Sequence, residues 1–542
     1  MSPNDNYTHI IIGAGSAGCV LAAQIVENPN SNVLLLEAGP DCKEPDVPHG
    51  IQDIRRVPMK GQSEIFDERL DWNVQVELPN GGSFDVPQAK VVGGGSSING
   101  GTALRNSVHD CEEWVRLGNE EWDWSSVEPV YRALERDTVK GSQGKHPLTR
   151  TDVNDTGKIQ KAFVEGAIEC GLPWSDDLNE TYAQGVGASP VCREIDRRVS
   201  VANTFIDPLR GRRNFQLLAN APVDRVLFSH KRATGVVLAD GRQISASSEV
   251  ILSAGAIFSP AILQRSGIGP AGLLSSHSIP VVQDLPVGAN LSDHPCVPLV
   301  ARPKKDAYDE DDFSLQMQAR WSSGTREDAV DLQLVCFSYL YSAPPMQLSH
   351  EETAAASEKA PRGLGGSVSG HVAGIGCNIN KPLSLGSVYI RSRKPEDQPV
   401  VDPRYLTTSP DRVCARQAVR LAYRIMQSEA MQQQLGPIIN LTRDVVDSDS
   451  LLDAWIHGQY TSTYHFTGSC RMATRNLGGV VDQTGSVYGI QGLRVADASV
   501  IPTIPAANTM WTTVMFAERI GKFVRDCQRS SSTLEEEAVN RY

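Results

Sequence analysis

A glycine-rich turn set between two apolar segments is the feature that most constrains how this chain folds. Residues 10–12 are three isoleucines, residues 13–18 read Gly-Ala-Gly-Ser-Ala-Gly, and a helical pattern of apolar residues follows. A second apolar run, residues 33–36, ends directly in Glu37. This order of strand, glycine turn, helix, strand and acid is typical of the βαβ unit that binds a dinucleotide.

The residues of this turn have separate expected roles. Gly13 permits the tight turn, Gly15 lets the backbone approach a pyrophosphate, and Gly18 lets the helix pack closely on the strand. The N–H groups at the helix N-terminus, at Ser16 and Ala17, are expected to bind phosphate oxygens. A purely structural glycine turn is the alternative interpretation.

The acid at the end of the second strand completes the predicted nucleotide site. Glu37, with Ala38 beside it, follows the turn by about 20 residues, where a carboxylate accepts hydrogen bonds from ribose hydroxyls. The motif does not distinguish NAD from FAD.

Length, charge and cysteine usage limit the remaining possibilities. A chain of 542 residues exceeds one ordinary core, so we expect two domains. The net charge of −13 argues against a nucleic-acid partner, and no apolar run is long enough to span a bilayer. No signal peptide is predicted.

The 11 cysteines form no CxxC pair and the 11 histidines have no metal-binding spacing, so we expect a cytoplasmic protein without a metal site. Cys470 is expected to be structural.

Other segments also carry a structural signal. Glycine and serine are too dense in residues 89–101 for a helix or a strand, and interspersed apolar residues favour an ordered loop against a flat or phosphorylated ligand over a flexible surface loop. Ser259 is expected to cap a short helix that has Pro260 at its first position. Residues 493–499 read as a strand ending in an acid, and a helix is expected from about Thr509 to Val524. Strands are predicted at residues 214–218, 223–228, 233–238 and 249–252.

Taken together, these motifs resemble the glucose–methanol–choline (GMC) oxidoreductases, a family of FAD flavoproteins. The resemblance rests on the N-terminal turn with Glu37, the loop at 93–99, the segment 255–269, and the regions around His465 and Asn508. It implies an α/β fold, with a Rossmann-like FAD-binding domain and an interleaved α+β substrate-binding domain whose antiparallel sheet is flanked by helices. The implied FAD-binding domain comprises 1–155, 195–300 and 465–530, the substrate-binding domain comprises 156–194 and 301–464, and 531–542 form a C-terminal tail. Residues 347–366 are a candidate lid.

The resemblance also implies which residues bind FAD. Besides the residues of the turn and the acid that follows it, the implied FAD-binding residues are Val92, Gly94, Ser97, Asn99, Gly100, Val223, Asp497, Ala498, Asn508 and Thr509. Ile98 stands at a position that carries a flavin-linking histidine in some members, which implies that FAD is bound non-covalently. The helix that begins near Thr509 is expected to direct its positive N-terminus toward the flavin.

Alcohol oxidation is the activity that the resemblance implies. FAD accepts a hydride at N5, His465 serves as the base or hydrogen-bond partner for the hydroxyl, and Asn508 holds the substrate oxygen. An asparagine in this second position is similar to the choline and furfuryl alcohol branches. We expect a primary alcohol, small or aromatic, of the aryl, furfuryl or pyridoxine type, with O2 or another electron acceptor. The alternatives are a choline dehydrogenase-type enzyme, a hydroxynitrile lyase of the same fold, a non-catalytic flavoprotein and an NAD-dependent dehydrogenase.

Overall fold

The computed structural model describes residues 7–43, 46–55, 68–78, 82–137, 139–309, 311–325, 330–342 and 370–539. The candidate lid at 347–366 lies outside these residues. The α/β fold class predicted from the sequence is confirmed.

The N-terminal glycine turn belongs to a seven-stranded sheet, called here the nucleotide sheet. Its strands, in spatial order, are Phe215–Leu218, Val33–Leu36, Tyr7–Ile12, Gln243–Leu252, Arg232–Leu238 and Val223–Ser229, with Leu493–Val495 paired to Gln243–Leu252. All four strands predicted between 214 and 252 are present. Three have bounds within one residue of those expected, and the fourth begins six residues earlier, at Gln243.

Parallel pairing brings the predicted nucleotide-binding residues to one edge of this sheet. Ile12, Leu36 and Leu252 lie side by side in register at the carboxyl ends of their strands. Gly13 and Glu37 follow directly, so both emerge at the edge where open α/β sheets bind their ligands. The strands are buried on both faces, which explains their continuous apolar sequences.

A second seven-stranded sheet, antiparallel throughout, is called here the cavity sheet. Its strands, in spatial order, are Leu435–Ile438, Pro295–Pro303, Gly370–Ile379, Leu332–Ser342, Met317–Trp321 and Gly185–Ala188, with Thr461–Ser462 paired to Pro295–Pro303. A five-stranded sheet has the order Ala289–Leu291, Gly386–Tyr389, Val400–Asp402, Val74–Glu77 and Ser83–Val86. Short pairs join Ile268–Gly269 to Gln283–Asp284, Glu135–Asp137 to His146–Leu148, and Arg193–Glu194 to Arg197–Arg198.

Helices pack against both large sheets, and the buried apolar residues form two main hydrophobic cores. The α-helices are Ser16–Val26, His49–Gln52, Val108–Arg116, Trp124–Leu134, Lys158–Glu169, Gly255–Arg265, Ala271–Ser276, Ser409–Met426, Glu429–Gln434, Arg443–Asp447, Asp449–Gln459 and Thr509–Val539. One core packs the nucleotide sheet against Ser16–Val26 and the start of Thr509–Val539, and the other packs the cavity sheet against Lys158–Glu169 and Ser409–Met426. No helix within the described ranges is long and apolar enough to cross a membrane.

Two helix bounds differ from the sequence-based prediction. The helix expected to begin at Ser259 begins at Gly255, with Pro260 inside it. Proline lacks the N–H that would bond to the carbonyl of Ala256, and the hydroxyl of Ser469 donates to that carbonyl instead, at 2.5 Å. The C-terminal helix runs from Thr509 to Val539 rather than ending near Val524.

Candidate active site

A cavity of about 830 Å³ extends from the glycine turn of the nucleotide sheet to the cavity sheet. Most of the residues predicted to bind cofactor or substrate line it: Gly13, Gly15, Ser16, Ala17, Glu37, Ala38, Gly94, Asn99, Gly100, Val223, His465, Asp497, Ala498, Asn508 and Thr509. Gly18, Val92 and Ser97 do not line the cavity. The sequence did not indicate the cavity-sheet residues that also line it, among them Gln318 and Asn378.

Backbone packing around the glycine turn shows why these positions lack side chains. Gly13 has a φ of +99°, and a Cβ on Gly18 would stand 1.9 Å from the Gly13 carbonyl oxygen. A Cβ on Gly94, whose φ is +54°, would stand 2.6 Å from the Cα of Gly15. The two glycine-rich loops therefore touch through their backbones. The hydroxyl of Ser97 donates to the carbonyl of Val92 at 3.0 Å. Ser97 therefore stabilises the second loop without lining the cavity.

The nucleotide end of the cavity suits a pyrophosphate and a ribose. Gly15 precedes the helix Ser16–Val26 and no side chain caps that helix, so its first N–H groups face the cavity without a side-chain acceptor. The carboxylate of Glu37 accepts from the N–H groups of Ala14 at 3.0 Å and Gly39 at 2.8 Å, which fixes its position. Burial raises the pKa of Glu37 above its usual range.

Asp497 stabilises the structure around the cavity as well as lining it. One carboxylate oxygen accepts from the N–H of Gly255 at 2.9 Å and from the hydroxyl of Ser259 at 2.5 Å. The other accepts from the N–H of Ser499 at 2.8 Å. Asp497 therefore joins the helix Gly255–Arg265 to the strand Leu493–Val495 at the edge of the nucleotide sheet.

The hydrogen bonds of His465 fix which of its ring nitrogens carries the proton. Its Nδ1 lies 2.9 Å from Nδ1 of His294 and 2.9 Å from the hydroxyl oxygen of Thr463. Nε2 of His294 contacts the carbonyl oxygen of Pro505 at 3.0 Å, so it must carry a proton, and Nδ1 of neutral His294 must accept. The Thr463 hydroxyl donates to the carbonyl of His294, at 2.9 Å. The proton of His465 is therefore on Nδ1, and Nε2 is a free base.

Burial keeps both imidazoles neutral. It lowers the pKa of His465 from 6.5 to about 3, and it lowers the pKa of His294 well below 6.5. His294 is a positioning residue that the sequence did not reveal. Its partner is 171 residues away in the chain, so no local pattern marks it.

Asp293, the residue before His294, holds the backbone of the segment that carries His465. Its carboxylate accepts from the N–H of His465 at 2.7 Å, from the hydroxyl of Ser462 at 2.5 Å and from the hydroxyl of Tyr405. Burial raises the pKa of Asp293 from 3.8 to about 6 despite these hydrogen bonds. The imidazole and its backbone are thus both fixed by residues 293 and 294.

Asn508 lies beside the free nitrogen of His465. Its Nδ2 is 3.4 Å from Nε2 of His465, and its Oδ1 accepts from Nε2 of Gln333 at 3.4 Å. Because Gln333 donates to the oxygen, the amide nitrogen of Asn508 faces His465. The pair presents an unprotonated imidazole nitrogen and an amide N–H to the cavity, which together can accept the proton of a hydroxyl and donate to its oxygen.

The chain segment that carries Asn508 is tied to a buried ion pair. Nζ of Lys381 donates to Asp110 at 2.8 Å, to Glu113 at 2.6 Å and to the carbonyl of Ile504 at 2.8 Å. The same Asp110 carboxylate accepts from the N–H of Ala506, at 3.1 Å. These contacts fix the backbone two residues before the predicted catalytic asparagine.

Replacing Lys381 with methionine is expected to lower the free energy of unfolding by about 3–5 kcal/mol, because the Asp110 carboxylate would remain buried without its counter-charge. Urea denaturation followed by far-ultraviolet circular dichroism measures this change. The matched control is Lys394→Met, at an exposed lysine. A loss below about 1 kcal/mol for Lys381→Met would show that the ion pair is not structural.

Buried histidines predict a stability that falls in acid. Burial lowers the pKa of His9 to about 4 and those of His146 and His465 to about 3, from 6.5. A lowered pKa means that the unfolded chain binds protons first, so this stability is present above pH 6.5 and is lost as the pH falls toward 3. Between pH 6.5 and 4.5 we expect His146→Gln to lose less Tm than the control His230→Asn, at an exposed histidine. Parallel curves for the two variants would contradict this expectation.

Cys470 is fully buried, and burial raises the pKa of its thiol well above the usual range, which suits a structural residue. Among the residues with described positions, no group of three histidine, cysteine or acidic side chains is arranged to hold a metal ion.

Comparison with known proteins places this architecture in one family. Family models described as GMC oxidoreductase match residues 7–296 and 382–517. The mitochondrial choline dehydrogenase of Mus musculus is 31% identical over 96% of this chain and 90% of its own length. The oxygen-dependent choline dehydrogenase of Yersinia pseudotuberculosis is 32% identical over 96% of this chain and 94% of its own. Among solved structures, pyridoxine 4-oxidase from Mesorbium loti has a TM-score of 0.83 at 25% identity, covering 96% of this chain and 99% of that one. The chain belongs to the GMC oxidoreductase family, which binds FAD, and its relatives are choline dehydrogenases and alcohol oxidases that act on CH–OH groups.

Proposed function

We propose that this protein oxidises a primary alcohol to the aldehyde and passes the electrons to O2 or another acceptor. The observation that carries the proposal is the pairing of an unprotonated Nε2 on His465 with the amide nitrogen of Asn508, 3.4 Å apart, in the cavity that begins at the glycine turn. The single cavity provides room for the nucleotide at one end and for an alcohol at the other.

The residues present fit FAD. The uncapped helix N-terminus after Gly15, the backbone contact between Gly15 and Gly94, and the fixed Glu37 carboxylate suit the ADP half. When bound, FAD supplies the hydride acceptor. We propose that it is held non-covalently, because Ile98, which lines the cavity, has no nucleophilic atom.

His465 and Asn508 would act on the substrate hydroxyl from two sides. Nε2 of His465 accepts the hydroxyl proton, and Nδ2 of Asn508 donates a hydrogen bond to the oxygen. A base works best when its pKa lies near the working pH, and burial lowers the pKa of His465 to about 3. His465 is therefore neutral, with Nε2 unprotonated, before the substrate binds.

Two substrate classes follow from the comparisons. A small or aromatic primary alcohol is the first candidate, and the name pyridoxine 4-oxidase for a structure of 25% identity supports it. A choline dehydrogenase-type activity is the second candidate, supported by the names of the relatives from mouse and Yersinia. A hydroxynitrile lyase of the same fold would bind FAD without net oxidation.

A panel of alcohols tests the proposal. We expect the purified protein to be yellow and to oxidise at least one of benzyl alcohol, furfuryl alcohol, pyridoxine and choline, measured both as hydrogen peroxide and as reduction of an artificial dye. Peroxide would identify an oxidase, and dye reduction alone a dehydrogenase. A yellow protein inactive with every alcohol in both assays would count against the proposal.

We also propose the domain division and the compartment. The nucleotide sheet would belong to the FAD-binding domain of 1–155, 195–300 and 465–530, and the cavity sheet largely to the substrate-binding domain of 156–194 and 301–464. We propose a cytoplasmic location, which the scattered cysteines without a CxxC pair support.

A further inference from the structure

One face of the cavity sheet turns carboxamide side chains toward the active site. Gln318 and Asn378 line the cavity, and Gln333 lies between them because it faces Asn378 in register. All three are buried, with exposed fractions of 1%, 0% and 4% for Gln318, Gln333 and Asn378. Three neighbouring strands of a sheet interior thus carry amides where apolar side chains are usual.

Gln333 has no hydrogen-bonding capacity left for a ligand. Its Nε2 donates to Oε1 of Gln318 at 2.5 Å and to Oδ1 of Asn508 at 3.4 Å. Its Oε1 accepts from Nδ2 of Asn378 at 3.1 Å and from Nδ2 of Asn380 at 3.3 Å. Gln333 therefore orients Asn508. Gln318 and Asn378 each bind Gln333 through one end of the carboxamide, which leaves the other end free.

Those free ends have no partner among the residues that the structure describes. Nε2 of Gln318, a donor, and Oδ1 of Asn378, an acceptor, are buried without a hydrogen bond. Leaving such atoms unpaired in a protein interior is unfavourable, so they indicate a missing partner. A ligand group that both accepts and donates a hydrogen bond would satisfy the pair.

This sheet face carries a buried positive charge that does not itself line the cavity. Arg320 lies on the same face as Gln318, two residues further along the strand, and is buried. It donates to the carbonyls of Leu178 at 3.0 Å and Ala506 at 2.6 Å. The cavity sheet contributes no carboxylate to the described lining of the cavity.

We propose that Gln318 and Asn378 form a specificity subsite for an uncharged alcohol that carries a second polar group, such as a phenolic or further alcoholic hydroxyl. Gln318 donates to that group and Asn378 accepts from it, while Arg320 disfavours quaternary ammonium alcohols. The inference rests on the proposed alcohol oxidation and names its substrate class.

Matched substrates test the subsite. The three hydroxybenzyl alcohols and benzyl alcohol differ only in the second hydroxyl, and choline supplies the cation. We expect kcat/KM for at least one hydroxybenzyl alcohol to exceed that for benzyl alcohol by about tenfold, and choline to be the poorest substrate. The subsite is wrong if no isomer exceeds benzyl alcohol or if choline is preferred. Inactivity with these five alcohols and also with furfuryl alcohol and pyridoxine would instead refute the proposed function.

Variants assign the preference to residues. Gln318→Met and Asn378→Leu are each expected to reduce the hydroxybenzyl-to-benzyl ratio of kcat/KM at least about fivefold. A loss of activity that reaches Asn508 through Gln333 would affect both substrates equally, so it cancels in this ratio. The control is Gln316→Met, a buried glutamine outside the cavity that accepts from Gly157. An unchanged ratio in both test variants, or an equal fall in the control, would overturn the assignment.

Discussion

The His465→Ala enzyme is expected to retain FAD and to be reduced by alcohols about 10²–10⁴-fold more slowly than the unmodified enzyme. Nε2 of His465 is the unprotonated imidazole nitrogen beside Asn508, and the hydrogen bond to His294 keeps it unprotonated. Alanine removes the proton acceptor without touching the glycine turn. Anaerobic stopped-flow absorbance gives the rate of flavin reduction, and the absorbance of the purified protein gives its FAD content.

Two controls separate chemistry from folding in this experiment. His277→Ala removes a histidine outside the cavity, and alcohols should reduce the FAD of this variant at the normal rate. Added imidazole should partly restore the rate of His465→Ala, because a free imidazole can occupy the space left by the side chain. A near-normal rate of flavin reduction in His465→Ala would show that His465 is not catalytic.

The second large effect is expected from Gly18→Ala, which should impair FAD binding. A Cβ at residue 18 would stand 1.9 Å from the backbone oxygen of Gly13, and backbone cannot move aside as a flexible side chain can. Overpacking of this kind costs up to about 3 kcal/mol, which corresponds to about 100-fold in affinity. We expect the variant to be purified largely without FAD and to need a much higher FAD concentration for reconstitution.

Gly272→Ala is the matched control for this variant. Gly272 lies in a helix with no atom within 4 Å of the position its Cβ would occupy. The control should retain FAD and gain slightly in Tm, since alanine favours a helix over glycine. Normal FAD content in Gly18→Ala would show that the contact between Gly18 and Gly13 is not needed for the nucleotide site.

Local sequence signals predicted the βαβ unit whose glycine turn and Glu37 line the cavity. The turn at residues 13–18 and the acid at Glu37 are separated by one helix, so spacing alone indicates the βαβ unit. The strands of residues 214–252 were likewise readable from their apolar composition. The predicted start of the helix Gly255–Arg265 was wrong. Pro260 leaves the carbonyl of Ala256 without its helical donor, and the residue that donates to it, Ser469, is distant in the chain.

The substrate end depends on pairing that the sequence does not contain. His294 acts through a residue 171 positions away, and Gln318 and Asn378 both bind Gln333 only because of the order of strands in the cavity sheet. Isolated glutamines in a strand ordinarily read as surface residues. Long-range register places Gln333 beside Asn508 in the protein interior.

Anaerobic mixing of the yellow protein with a substrate alcohol tests the central claim most directly. The account predicts that the flavin absorbance near 450 nm bleaches in a single turnover, that the aldehyde forms in equal amount, and that the absorbance returns when O2 or a dye is admitted. A flavin that stays oxidised with every alcohol, while the protein cleaves a cyanohydrin, would contradict the account and establish the lyase instead.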